Sequence, residues 1–153
     1  MHWTVLTNDR NVTPYTSNDG FEACARFDGV SLVNSAAHSH VGFEFDSVHR
    51  MARHYAGSAK GLQKLGEPRV AGGRVSAQIL ERGEGIAFAK ICYTCGTEAK
   101  TYQRVWKSLP ADVAGDVVSA RLPDGAVQCY LAVYERKSSR MDLCGATRFV
   151  ALR

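Results

Sequence analysis

The spacing of apolar residues in one stretch, Asp46 to Leu65 (DSVHRMARHYAGSAKGLQKL), constrains this chain more than any other feature. Val48, Met51, Ala52, Tyr55, Ala56, Ala59 and Leu62 recur there every three or four residues. A 3.6-residue period places them on one face, so the spacing predicts an amphipathic helix with that face buried. Asp46 or Ser47 can accept a hydrogen bond from the open N–H groups of the first turn, and Gly66 with Pro68 marks the stop. Opposite the apolar stripe lie Arg50, Arg53, Lys60 and Lys64, with His49 and His54 at its margins. No acidic residue falls between Asp46 and Glu67. Gly57 and Gly61 sit on the polar side, where each costs about 1 kcal/mol against alanine inside a helix. Either a ligand approaches the backbone there, or the helix breaks near Gly57.

Elsewhere the period shortens to two. Trp3 and Val5 suggest a first strand, and Asn8 to Gly20, rich in Asn, Asp, Thr and Ser, reads as a surface loop. Phe21 to Phe27 alternates apolar with polar, and Asp28-Gly29 supplies a tight turn into Val30 to Val33, a first hairpin. Arg74 to Glu81 and Ile86 to Tyr93, joined across Arg82-Gly83-Glu84-Gly85, read as a second hairpin. Thr101 to Trp106 is strand-like, and Ser108, Pro110 and Gly115 bracket a short helical turn. Val117 to Leu122 and Ala126 to Glu135, separated by Pro123-Asp124-Gly125, are expected to pair antiparallel. A final strand covers Thr147 to Leu152. One main helix and runs of hairpin-connected strands predict an α+β fold, the helix packed on a mostly antiparallel sheet.

A chain of 153 residues fits one domain, able to bury about two thirds of its unfolded surface without staples. Five cysteines behind a start that lacks a secretory pattern point to a reducing cytoplasm. No apolar run approaches the roughly 20 residues of a membrane span, so no membrane partner is expected. A net charge of +4 says little by its sum; its clustering matters more.

Three groups of residues carry candidate chemistry. Cys92-Tyr93-Thr94-Cys95-Gly96 resembles half of a zinc knuckle, but no second Cys-x-x-Cys exists, and Cys129 and Cys144 are the only remaining thiols near the C-terminus. The sequence therefore predicts no metal and no cofactor, Cys92 being a buried small hydrophobe. A zinc deaminase is excluded, because the His-x-Glu motif is missing: His40 is followed by Val41 and Gly42. His38 and His40 would share a face of an extended segment and are the candidate acid/base pair, and a Cys24 nucleophile with a histidine base has no specific support. The basic helix face (Arg50, Arg53, Lys60, Lys64), together with Arg136, Lys137 and Arg140, is the candidate ligand surface, suited to phosphates of a nucleic acid or another polyanion. The sequence thus favours a non-catalytic binding module. A small enzyme using His38 and His40 is the alternative, and assembly through a sheet edge, as a homodimer, is the third.

Overall fold

The computed structural model describes residues 2–8, 14–24, 26, 28–37, 46–98, 100–135 and 143–152. The chain begins β1 (His2–Asn8), α1 (Pro14–Ala23), β2 (Gly29–Ala37) and α2 (Asp46–Tyr55). Then come β3 (Lys64–Leu65), β4 (Arg69–Ala71), β5 (Arg74–Glu81), β6 (Phe88–Thr94) and a 3₁₀ turn at Thr101–Gln103. The last strands are β7 (Trp106–Ala114), β8 (Val117–Arg121), β9 (Gln128–Tyr134), β10 (Cys144–Ala146) and β11 (Val150–Ala151).

Nine of these strands form one antiparallel sheet in the order β10-β9-β6-β7-β8-β5-β3, with β11 also on β9 and β4 on β5. The sheet curls until its ends meet. Gly145 in β10 lies so close to the backbone of Gln63, just before β3, that a Cβ there would collide with the Gln63 carbonyl. The result is a nearly closed barrel, mostly β among the described residues.

β9 explains why. Its sequence, QCYLAVY, is buried at all seven positions. Alternate side chains of a strand face opposite ways. Cys129, Leu131 and Val133 therefore enter the barrel interior with Val75, Ile91 and Val118, while Tyr130, Ala132 and Tyr134 form a second core on the barrel's outer side. That second core is covered by β1 and β2, which pair in parallel from His2↔Gly29 to Leu6↔Val33. α1 crosses between them. Phe21 of α1 is buried and meets Trp3 edge-to-face at 5.6 Å. The Asn18 side chain donates to Phe149 O at 3.0 Å and accepts from Phe149 N–H at 3.2 Å, tying α1 to the C-terminal strands.

The α+β expectation, with one helix as organiser, is thus corrected to a mostly β architecture. α2 runs only to Tyr55 and buries Ser47 and Met51. Met51 joins Leu62 and Leu143 in a small separate cluster, while Val48 and Tyr55 are 36% and 56% exposed. The helix stops because Gly57 takes φ +75°. Ser58 N–H donates to Arg53 O and Gly57 N–H to His54 O, both at 2.9 Å, the paired bonds of a Schellman cap. Leu62 consequently reaches the core from extended chain, not from the helical stripe.

Several local readings also change. The predicted loop from Asn8 to Gly20 contains most of α1, opened by Pro14, whose fixed φ suits a first helical position. Phe21 lies in the last turn of that helix and does not start a hairpin, because β2 finds β1 in parallel. Tight hairpin turns form instead at Gly72-Gly73, at φ +55° and +72°, between β4 and β5, and at Gly115-Asp116 between β7 and β8. The two positive φ angles in succession at Gly72-Gly73 match the right-handed strand twist. β5 pairs with β8, and β6 with β7 and β9, so neither expected hairpin, β5 to β6 nor β8 to β9, forms. Residues 106 to 114 are strand through Pro110.

Candidate functional site

The structure disperses the basic helix face. Arg50 Nη1 donates to Glu135 Oε1 at 2.7 Å and lies 4.0 Å from Glu84 Oε1, with the Arg50 and Glu135 side chains only 16% and 6% exposed. It is a part-buried bridge between α2 and the end of β9, not a surface contact. Lys64 Nζ sits 3.5 Å from Asp28 Oδ1. Arg53 and Lys60 are exposed. His49 is exposed as well, and His54 Nδ1 is 3.2 Å from the Ala59 carbonyl. His38, His40, Arg136, Lys137 and Arg140 lie outside the described residues.

Cys92 and Cys95 do not converge. Cys92 is fully buried on β6, its thiol against the hydroxyls of Tyr130 and Tyr134, and burial pushes its pKa up. Cys95 is exposed in the following loop, its Sγ 3.9 Å from Asp124 O. Among the described residues no three metal-binding side chains cluster.

One polar junction was missed by the sequence reading. His2 Nε2 is 2.9 Å from Ser31 Oγ, and Ser31 donates to Cys144 O at 2.6 Å. A hydroxyl has one proton. With it committed to the carbonyl, the imidazole N–H donates to the serine oxygen, which fixes the Nε2–H tautomer. Burial lowers the His2 pKa to about 4, outweighing the opposite pull of Asp28. The polarity is the reverse of a nucleophile activated by a base, so this contact cannot prime Ser31 for attack. Next to it, Asp28 accepts from the Tyr55 hydroxyl at 3.1 Å and from Lys64. Burial alone would raise the Asp28 pKa, but Tyr55 and Lys64 outweigh it and hold the carboxylate below its usual range. Burial and then Asp28 raise the Tyr55 hydroxyl. An ionised Asp28 and a neutral Tyr55 at neutral pH make a structural clasp between the ends of α2, β2 and β3. Only the residue types, scattered over sixty positions, could have pointed to it.

A different surface brings charge together. On the sheet's outer face, β4, β5 and β8 carry Arg69, Arg74 and Arg121, all exposed. Arg74 and Arg121 are directly opposite in register, and Arg69 lies opposite Ser76, two residues along β5 on the same face. The next row reads Arg69, Ser76, Ser119 and Asp112 across four strands. Arg74 Nη2 reaches Ser119 Oγ at 2.9 Å and Asp112 Oδ2 at 3.3 Å. Like charges directly opposite on neighbouring strands destabilise a sheet; Asp112 pairs with Arg74, while Glu67 lines the same cleft as Arg69 and Asp124 the same cleft as Arg121. Two open clefts flank the row, about 460 Å³ beside Arg69 and about 370 Å³ beside Arg121. Arginine forks suit paired hydrogen bonds to phosphate oxygens. The signal was in the sequence, because Arg69 and Arg74 flank the Gly72-Gly73 turn and a hairpin there puts both on one face.

No family model matches the chain, and no curated protein matches it in sequence.

Proposed function

We propose that the protein is a non-catalytic module that binds a phosphate-bearing polyanion, of which nucleic acid is the prime example. The observation that supports this reading is the in-register pair Arg74 and Arg121, with Arg69 beside it on one exposed sheet face. A bound phosphate backbone would relieve the repulsion that the free protein sustains there. Arg53 on α2 and Lys60 in the chain beyond it are exposed and form a subsidiary contact. Five free thiols, three of them buried, fit residence in a reducing cytosol.

The test is fluorescence anisotropy of a labelled oligonucleotide against salt concentration. Affinity is expected to fall linearly in log–log form, and Arg74→Glu with Arg121→Glu should lower the slope by about two, one per lost phosphate contact. Arg53→Glu with Lys60→Glu should lower it less. Absence of binding at low salt and tens of micromolar protein would end this reading, because non-specific binders reach roughly 10⁻⁴ to 10⁻⁶ M even at physiological salt.

A further inference from the structure

Building on the polyanion reading, we infer that the ligand is a single-stranded nucleic acid, one base of which enters the cleft beside Arg69 while its backbone runs over the arginine pair. The cleft lies on the same outer face as the arginines. Ser76, Gln78 and Leu80 project into it from alternate positions of β5, Val117 stands opposite Gln78 on β8, and Glu67 and Arg69 form its rim. Its volume, about 460 Å³, is within the range of small-molecule sites, roughly 300–1,000 Å³.

The lining suits a base better than a phosphate. Leu80, 58% exposed, and Val117 offer apolar surface to a ring. Gln78 carries a donor and an acceptor on one amide, the pattern that reads adenine with two hydrogen bonds. Glu67, oriented by Arg148 Nε at 3.3 Å, is an acceptor of the kind that takes the cytosine amino group. Arg69 joins the two regions, rimming the cleft and standing one row from Arg74 and Arg121, where it can hold the phosphate of the inserted nucleotide. From Leu80 to Arg74 the face extends about 20 Å at the rise of a β-strand, room for a few nucleotides. Bases of a duplex are stacked and paired and cannot turn into such a cleft. The outward-facing residues of this stretch include no aromatic side chain, so selectivity comes from hydrogen bonds at one base and not from a stacking platform.

The decisive experiment compares four probes of equal phosphate number on the intact protein: a normal single strand, the same strand made abasic, a duplex and inorganic polyphosphate. The normal strand is expected to bind roughly five- to a hundredfold tighter than the abasic strand, the range for one well-paired base. Gln78→Ala and Leu80→Ala, both at outward-facing positions, should erase that ratio while leaving the salt slope and melting temperature unchanged. Arg74→Glu with Arg121→Glu should do the opposite. Equal binding of normal, abasic and polyphosphate probes would overturn the base cleft and leave the polyanion reading standing. Equal or tighter binding of the duplex would also overturn it. A base-dependent ratio that survives both cleft substitutions would overturn its location. Failure of all four probes to bind would remove both proposals together.

Discussion

β9, buried at every position, and α2, the amphipathic helix, take opposite parts in the molecule. β9 has no amphipathic pattern: seven residues in a row are buried because both faces of the strand meet a core. α2 has a strong stripe, yet it buries two residues and leaves Val48 and Tyr55 facing outward. Periodicity reports that a helix will form, because it reflects local geometry. It does not report how much there is to pack against. A continuous apolar run, which carries no period at all, marked the centre of this fold.

That contrast can be attacked directly. Leu131→Ala, at the middle of β9 and wholly buried, should cost about 4 kcal/mol in a denaturant titration, within the range for opening a core cavity. A loss under about 1 kcal/mol would show that the barrel interior is not the main core. Arg50→Ala should cost about 3 kcal/mol, because Glu135 would be left nearly buried without its counter-ion. The same change in a Glu135→Gln background should cost far less. Equal costs in the two backgrounds would show that α2 is not held to β9 by this pair.

His2 supplies a pH test of the outer core. Its folded pKa, about 4, lies below the ordinary 6.5, so the unfolded chain takes up the proton first as pH falls. The stability due to neutral His2 is complete above about pH 6.5 and is lost progressively down to about pH 4. The loss amounts to about 3 kcal/mol by linkage. His2→Gln, which keeps a donor for Ser31, should flatten the stability profile across that window, and an unchanged profile would argue against a buried imidazole. The smallest effect is expected at Val48→Ala, within about 0.5 kcal/mol for an exposed site. A loss of 2 kcal/mol or more there would mean that the stripe of α2 is covered in solution.

How much of this was readable beforehand depended on the range of the interactions. The strands at Arg74 to Glu81, Val117 to Leu122 and Ala126 to Glu135 were legible, because alternation and turn residues are local. Their partners were not. Pro123-Asp124-Gly125 turns the chain, but β8 leaves toward β5 and β9 toward β6, a choice settled by barrel closure. α1 was hidden by residues that favour turns and is held through Phe21, Gly20 against the Trp3 indole, and Asn18 on Phe149. The Gly72-Gly73 turn places Arg69 and Arg74 on one face, but Arg121 could not be added to them without register, since it is 47 positions from Arg74 and meets it only in the pairing of β5 with β8. The ion pairs of the basic face were hidden for the converse reason: Arg50 and Lys64 look free in a helical projection, but acidic residues far along the chain pair with them.

The meeting of Gly145 with Gln63 has a consequence for the order in which the molecule can be made. The seam joins residues 82 positions apart by backbone contact and not by a strand ladder. During synthesis, a chain that has emerged only as far as Tyr134 already holds β1 to β9 but cannot shut the barrel. Its outer core also lacks Cys144, Ala146 and Phe149. Such a late, long-range closure slows folding and leaves apolar surface open in the meantime. The nascent chain is therefore most exposed to misassociation just before β10 appears, and a substitution at Gly145 should lower the yield of folded protein more than it weakens any part already built.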